Sequence, residues 1–192
     1  MSNNFIFLGD SLTFGYGVKK SDCWVNKLSN NNDINNITII NKGLNGSTTT
    51  DMLVRFDKDV LSYTPEKVFI MAGTNDLLCN RNIPFIVENI ELMIKDLTAK
   101  KIDILIGLPP DIIIEDAYRL FIESKTYAYC KQSLPILREK LISLCNKYEC
   151  TYVDFYSITN TNINNNIYLD GIHLNPSGQD LMYNEFINTY SH

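Results

Sequence analysis

The sequence predicts a three-layer α/β/α sandwich built on a five-stranded parallel sheet. Two observations carry this. Short apolar runs alternate with segments whose apolar residues recur at helical spacing, five times in succession. The runs are unbroken enough to be strands covered on both faces, which is the mark of a parallel sheet between helices. At 192 residues the chain suits a single domain over 1–192, and it contains no repeat and no long linker.

The elements follow in order. Phe5 to Leu8 is an unbroken apolar run ending at Gly9, a first strand. Trp24, Val25 and Leu28 suggest a short helix. Thr38 to Ile40 is β-branched and reads as a second strand. Met52, Leu53, Phe56 and Val60 share a helical face, and Lys67 to Met71 is a third strand. Ile86, Ile90, Met93, Ile94 and Leu97 repeat at helical spacing, with Pro84 near the start. Ile102 to Leu108 is a fourth strand. Leu134, Leu137, Leu141, Leu144 and Tyr148 mark a helix whose first turn accepts Pro135, with Ser133 as N-cap. Thr151 to Phe155 is a fifth strand. A last helix opens at Asn175 and Pro176 and turns Tyr183, Phe186, Ile187 and Tyr190 inward.

Composition narrows the function classes. The charged fraction is 20% and the net charge −5, with no basic block and no zinc-finger spacing, so a nucleic-acid surface is not expected. Five cysteines, none in a CxxC pair, read as reduced thiols rather than a disulfide framework. A secretory signal needs a positive n-region and a longer apolar stretch than Phe5–Leu8, and no segment has the length of a membrane span. The expected compartment is therefore cytoplasmic.

In an open parallel sheet, ligands bind beyond the carboxyl ends of the strands. The polar residues that follow each strand are thus the candidates for chemistry. Strand one is followed by Gly9-Asp10-Ser11-Leu12, strand two by Asn41 to Ser47, and strand three by Gly73-Thr74-Asn75-Asp76. Asp170-Gly171-Ile172-His173 comes past strand five. His173 is one of only two histidines, the other being the terminal His192, so a neutral-pH general base, if the chain uses one, falls to it; the alternative is a histidine that only hydrogen-bonds a loop. Asp170 stands three residues earlier, on the same face of a helical turn, where a carboxylate orients the ring. Ser11 is the candidate nucleophile, since N–H groups at a helix start stabilise an oxyanion. A serine in that place is also a common N-cap, and that alternative stays open on sequence. Gly46 offers a closely approaching backbone N–H and Asn75 an uncharged amide donor. Each is also an ordinary turn residue.

Together, in order and spacing, these four clusters resemble the SGNH hydrolases, the GDSL esterase/lipase family. The match runs from Phe5 to Gly178. The resemblance implies a flavodoxin-like fold and acyl transfer without metal or organic cofactor. It gives Ser11 the nucleophile, Asp170 and His173 the acid and base, and Ser11, Gly46 and Asn75 the oxyanion hole. Gly43 is the less favoured glycine for that hole. Asp10 and Asp76 are supporting residues, Asp10 tying the nucleophile turn and Asp76 fixing Asn75 or its loop. The implied function is a serine esterase acting on a small-molecule or lipid ester. The alternatives are an acyltransferase to a non-water acceptor, or a non-catalytic binding module of the same fold.

Tyr16, Leu77, Pro109 and Ile172 are the expected substrate-pocket residues, because they adjoin the clusters. Residues 111–129 read either as a lid or as a helix with its connection. Cys79 reads as buried side-chain filling. A phosphate loop at Gly43 to Thr49 is a poor alternative without the Lys-Ser/Thr ending of a P-loop. A metallohydrolase is poorer still, with two histidines and no HExxH.

Overall fold

The computed structural model of the protein describes residues 3–31, 37–120 and 123–191. Strand β1 (Asn4–Gly9) alternates sharply: Phe5 and Phe7 enter one core, Ile6 and Leu8 the other. Strands β2 (Thr38–Gly43) and β3 (Lys67–Met71) flank it, and β4 (Asp103–Leu108) and β5 (Thr151–Asp154) extend the sheet. All pairings are parallel, in the order β2-β1-β3-β4-β5. The strand order reverses between β1 and β3, and that reversal opens a crevice at their carboxyl ends.

The two faces carry different chemistry. One core is aliphatic and covered by helices α3 (Thr49–Asp59), α5 (Ile83–Ala99) and α7 (Lys125–Tyr148). The other is aromatic: Phe7, Phe69, Phe155 and Phe186 surround Trp24 at centroid separations of 5.2 to 5.6 Å, and Phe5 packs on Phe7 at 4.4 Å. Helices α2 (Trp24–Leu28), α8 (Phe155–Thr161) and α9 (Pro176–Tyr190) cover it. Rings of this size need room, and Gly107 supplies it: a Cβ there would lie 2.5 Å from the Phe69 ring. Helix α9 is fastened to α2 by the Trp24 N–H, which donates to Gln179 Oε1 at 3.0 Å. The described residues also form helices α1 (Ser11–Phe14), α4 (Thr74–Leu78) and α6 (Ile114–Leu120) and a 3-10 turn at Leu61–Tyr63.

Three expectations need correction. Helix α7 does not begin near Pro135. It begins after Ser124, whose side chain accepts from the Thr126 N–H, and Ser133 and Pro135 lie inside it. Pro135 has no N–H for the carbonyl one turn back, a loss the buried face from Cys130 to Cys145 outweighs. Phe155 opens α8, a helix with no expected counterpart, rather than ending β5. Cys79 is exposed at the end of α4, because the helix stops there and turns its side chain outward. All five cysteines are free thiols. The lid reading of 111–129 includes residues 121–122, which lie outside the described residues.

Candidate active site

The carboxyl ends of β1, β2 and β3 deliver three loops to one place. Asp10 caps α1: its Oδ1 accepts the Leu12 N–H at 2.9 Å. Capping thus falls to Asp10, and the Ser11 hydroxyl is spared that duty. Ser11 Oγ instead meets His173 Nε2 at 2.9 Å. His173 Nδ1 lies 2.7 Å from Asp170 Oδ2. Asp170 Oδ1 accepts the backbone N–H groups of Ile172 (3.0 Å) and His173 (2.7 Å). Burial alone would raise the Asp170 pKa, but the hydrogen bonds from His173 outweigh it and hold the carboxyl below its ordinary range.

The turn from Asp170 to His173 is a bend, not the helical turn expected. Gly171 sits at φ 81°, and a Cβ on it would lie 2.3 Å from the Ile113 carbonyl. The Ile113 N–H donates to the Gly171 carbonyl at 2.7 Å. The loop after β4 therefore clamps the turn that carries Asp170 and His173.

That loop is itself anchored by residues the sequence did not single out. Asp111 is fully buried, and its carboxylate accepts from Lys131 Nζ at 2.6 Å and Asn160 Nδ2 at 2.8 Å. Its carbonyl accepts from the Tyr168 hydroxyl at 2.6 Å. Arg55 plays a similar part on the other side. Its guanidinium donates to the carbonyls of Gly9 and Lys42, each at 2.8 Å, and so ties the ends of β1 and β2 together. Both devices join residues far apart in sequence, and no local pattern announces them.

Asn75 Nδ2 donates to the Ser47 carbonyl at 3.1 Å and lies 3.4 Å from Asp10 Oδ2. Gly46 stands one residue before Ser47, exposed, at φ 75°. Gly43 spends its N–H on Asn41 Oδ1 at 2.9 Å, whereas no described residue accepts the N–H of Gly46. Asp76 does not engage the Asn75 side chain. Its carboxylate takes the Thr49 N–H (2.9 Å), the Thr49 hydroxyl (2.7 Å) and Arg81 (3.1 Å), and so joins the starts of α3 and α4.

Of the expected pocket residues, Tyr16 is at the site and exposed, its ring centroid 4.4 Å from that of His173. Ile172 is nearly buried beside Asp170. Leu77 and Pro109 do not line an opening. Leu77 has no exposed surface, because α4 turns it into the aliphatic core, and Pro109 is buried just past the end of β4.

Burial pushes the Asp10 carboxyl up to about 6 from an ordinary 3.8, against the pull of the Leu12 N–H. A raised carboxyl holds its proton longer folded than unfolded, so its contribution to stability falls as pH rises from about 4 to 6. Asp10→Asn lacks that titration. Its stability relative to wild type is expected to improve across this window by up to about 3 kcal/mol, read from urea midpoints. A flat difference would place Asp10 near its ordinary value.

A sequence model of the GDSL-like Lipase/Acylhydrolase family matches residues 7–181. The chain belongs to this family. Relatives of this GDSL-family chain carry several names. An uncharacterized lipoprotein, YqeF of Bacillus subtilis, is 41% identical over 76 residues, 37% of the chain and 31% of that protein. An acetylxylan esterase of Geobacillus stearothermophilus is 38% identical over 52 residues, 27% of the chain and 24% of that protein. An arylesterase of Vibrio mimicus is 31% identical over 115 residues, 57% of the chain and 58% of that protein. The GDSL-family chain thus aligns to less than two thirds of each of these relatives. A lipolytic G-D-S-L family protein from Veillonella parvula superposes with a TM-score of 0.81 at 22% identity, covering 98% of both chains, and shares the fold. Among the described residues no helix is long and apolar enough to cross a membrane, and no group of three or more His, Cys, Asp or Glu could hold a metal ion. The lipoprotein relative leaves the cytoplasmic expectation without support from the family.

Proposed function

We propose that the chain is a serine esterase that cleaves a carboxylic ester through an acyl-enzyme on Ser11. The observation that carries this reading is the relay from Ser11 Oγ to His173 Nε2 (2.9 Å) and from His173 Nδ1 to Asp170 Oδ2 (2.7 Å). His173 takes the Ser11 proton as the oxygen attacks the ester carbonyl. Asp170 holds the ring in the tautomer that leaves Nε2 free to accept, and stabilises the imidazolium that forms. The oxyanion is received by the N–H of Ser11, the N–H of Gly46 and the Asn75 amide. Neither backbone N–H has an acceptor among the described residues, and the first N–H of a helix has none within it. His173 returns its proton to the leaving alcohol. It then activates water, whose attack releases the acid and restores Ser11.

Family membership and esterase-named relatives support an ester substrate. The test is a panel of esters of graded acyl length, with fluorophosphonate labelling of Ser11 beside it. Turnover of every ester by Ser11→Ala at the wild-type rate, without labelling, would end this reading. Asn75→Ala is expected to lower kcat on the order of 10²-fold with little change in KM, as for one oxyanion donor. A loss confined to KM would move Asn75 from the transition state to ground-state binding.

A further inference from the structure

Tyr16 occupies an unusual position for an aromatic residue. It stands between Gly15 (φ 84°) and Gly17 (φ 78°), both in the left-handed region. Its N–H donates to the Ser11 carbonyl at 3.0 Å, which fixes its backbone to the nucleophile residue. The ring then reaches the imidazole of His173, with centroids 4.4 Å apart and planes inclined by 41°. Despite that contact 43% of the residue is exposed. Gly17 admits a second apolar group: a Cβ there would lie 2.6 Å from Leu169 Cδ1. Leu169 belongs to the same turn as His173, donating its N–H to the His173 carbonyl at 2.8 Å, and is 40% exposed.

The chemistry says which part of a substrate meets these groups. When the carbonyl re-forms and the ester C–O bond breaks, the proton on Nε2 passes to the oxygen of the departing alcohol. The alcohol must therefore lie at the imidazole, while the carbonyl oxygen lies toward Gly46 and Asn75. Apart from one phenolic hydroxyl, Tyr16 and Leu169 offer a ring face and methyl groups. A polyhydroxylated sugar can lay its C–H face on a ring but also needs partners for its several hydroxyls, of which Tyr16 and Leu169 supply one, whereas an aromatic or other apolar alcohol needs only the surface.

Resting on the acyl-transfer reading above, we propose that Tyr16 is a specificity-determining residue. Its exposed ring binds the alcohol part of the ester, and it selects esters of aromatic or other apolar alcohols over esters of sugars.

The test uses the full chain as wild type, Tyr16→Phe and Tyr16→Ala. Benzyl acetate and methyl acetate share an acyl group and release alcohols of similar acidity, so their comparison isolates recognition of the alcohol. An acetylated methyl xyloside serves as the sugar ester. Wild type is expected to favour benzyl acetate over both others in kcat/KM. Tyr16→Ala is expected to reduce the benzyl-over-methyl ratio on the order of tenfold, chiefly through KM for benzyl acetate, and Tyr16→Phe to retain it. An unchanged ratio in Tyr16→Ala, or an equal loss on both esters, would overturn the proposal, the second by making the ring a mere support for His173. A wild-type preference for the xyloside would overturn it too. Fluorophosphonate labelling of Ser11 separates the two levels. Labelling without turnover of benzyl acetate defeats the alcohol assignment alone. Absence of both labelling and turnover defeats the acyl-transfer reading and this proposal with it.

Discussion

Replacing Ser11 by alanine is expected to lower kcat on an activated ester on the order of 10⁴-fold or more. The substitution deletes one oxygen whose partner is His173 Nε2. It leaves the structural work of the turn in place. Asp10 still caps α1 through the Leu12 N–H, and the backbone of residue 11 still offers its N–H and its carbonyl. The variant should therefore melt within a few degrees of wild type, which separates lost chemistry from lost structure. Residual turnover would report what the oxyanion donors and binding achieve alone. Wild-type turnover in this variant would remove Ser11 from the mechanism.

Asp170→Asn is expected to lower kcat by a similar factor, about 10⁴-fold, with the geometry intact. The local hydrogen bonds explain why so small a change acts so strongly. Asp170 Oδ1 is committed to two backbone N–H groups, those of Ile172 and His173. An asparagine must keep its oxygen on that side. Its NH₂ group then faces His173 Nδ1 and donates to it. That fixes the proton on Nε2, the nitrogen that has to accept from Ser11. The ring would stand in place with the wrong tautomer. The measurement is kcat beside the rate of fluorophosphonate labelling, and both should fall together. Unchanged values would show that Asp170 holds the turn and nothing more.

Much of this architecture was legible because parallel strands covered on both faces leave a plain signal. Each is a short apolar run, and each ends at the loop where ligands bind. Phe5–Leu8 and Lys67–Met71 read that way at once, and the loops after them bring Ser11 and Asn75 to the same crevice. What stayed hidden was whatever depends on distant partners. Arg55 gives no local sign that it will bridge Gly9 and Lys42, nor buried Asp111 that it will meet the half-buried Lys131. Pro135 misled for a related reason. Local preference places proline in a first turn, but burial of Cys130 and Leu134 carries the helix two and a half turns further upstream. Leu77 misled because a five-residue helix has too few positions for its periodicity to tell inside from outside. The Asp170–His173 pair was legible as a spacing, though not as a shape, since a bend at Gly171 does the work assigned to a helical turn.

Ser11 and His173 are 162 residues apart in the chain, and this separation sets a timetable. At about 5–20 residues per second, a ribosome emits Ser11 roughly ten to thirty seconds before His173. During that interval the growing chain holds a serine with nothing to deprotonate it. The turn that bears His173 leads straight into α9, which must then seat Phe186 among Phe5, Phe7 and Trp24. Any turnover that needs both residues is thereby tied to the docking of α9. In a refolding experiment its recovery should trail the return of helix content and mark the moment the C-terminal segment docks.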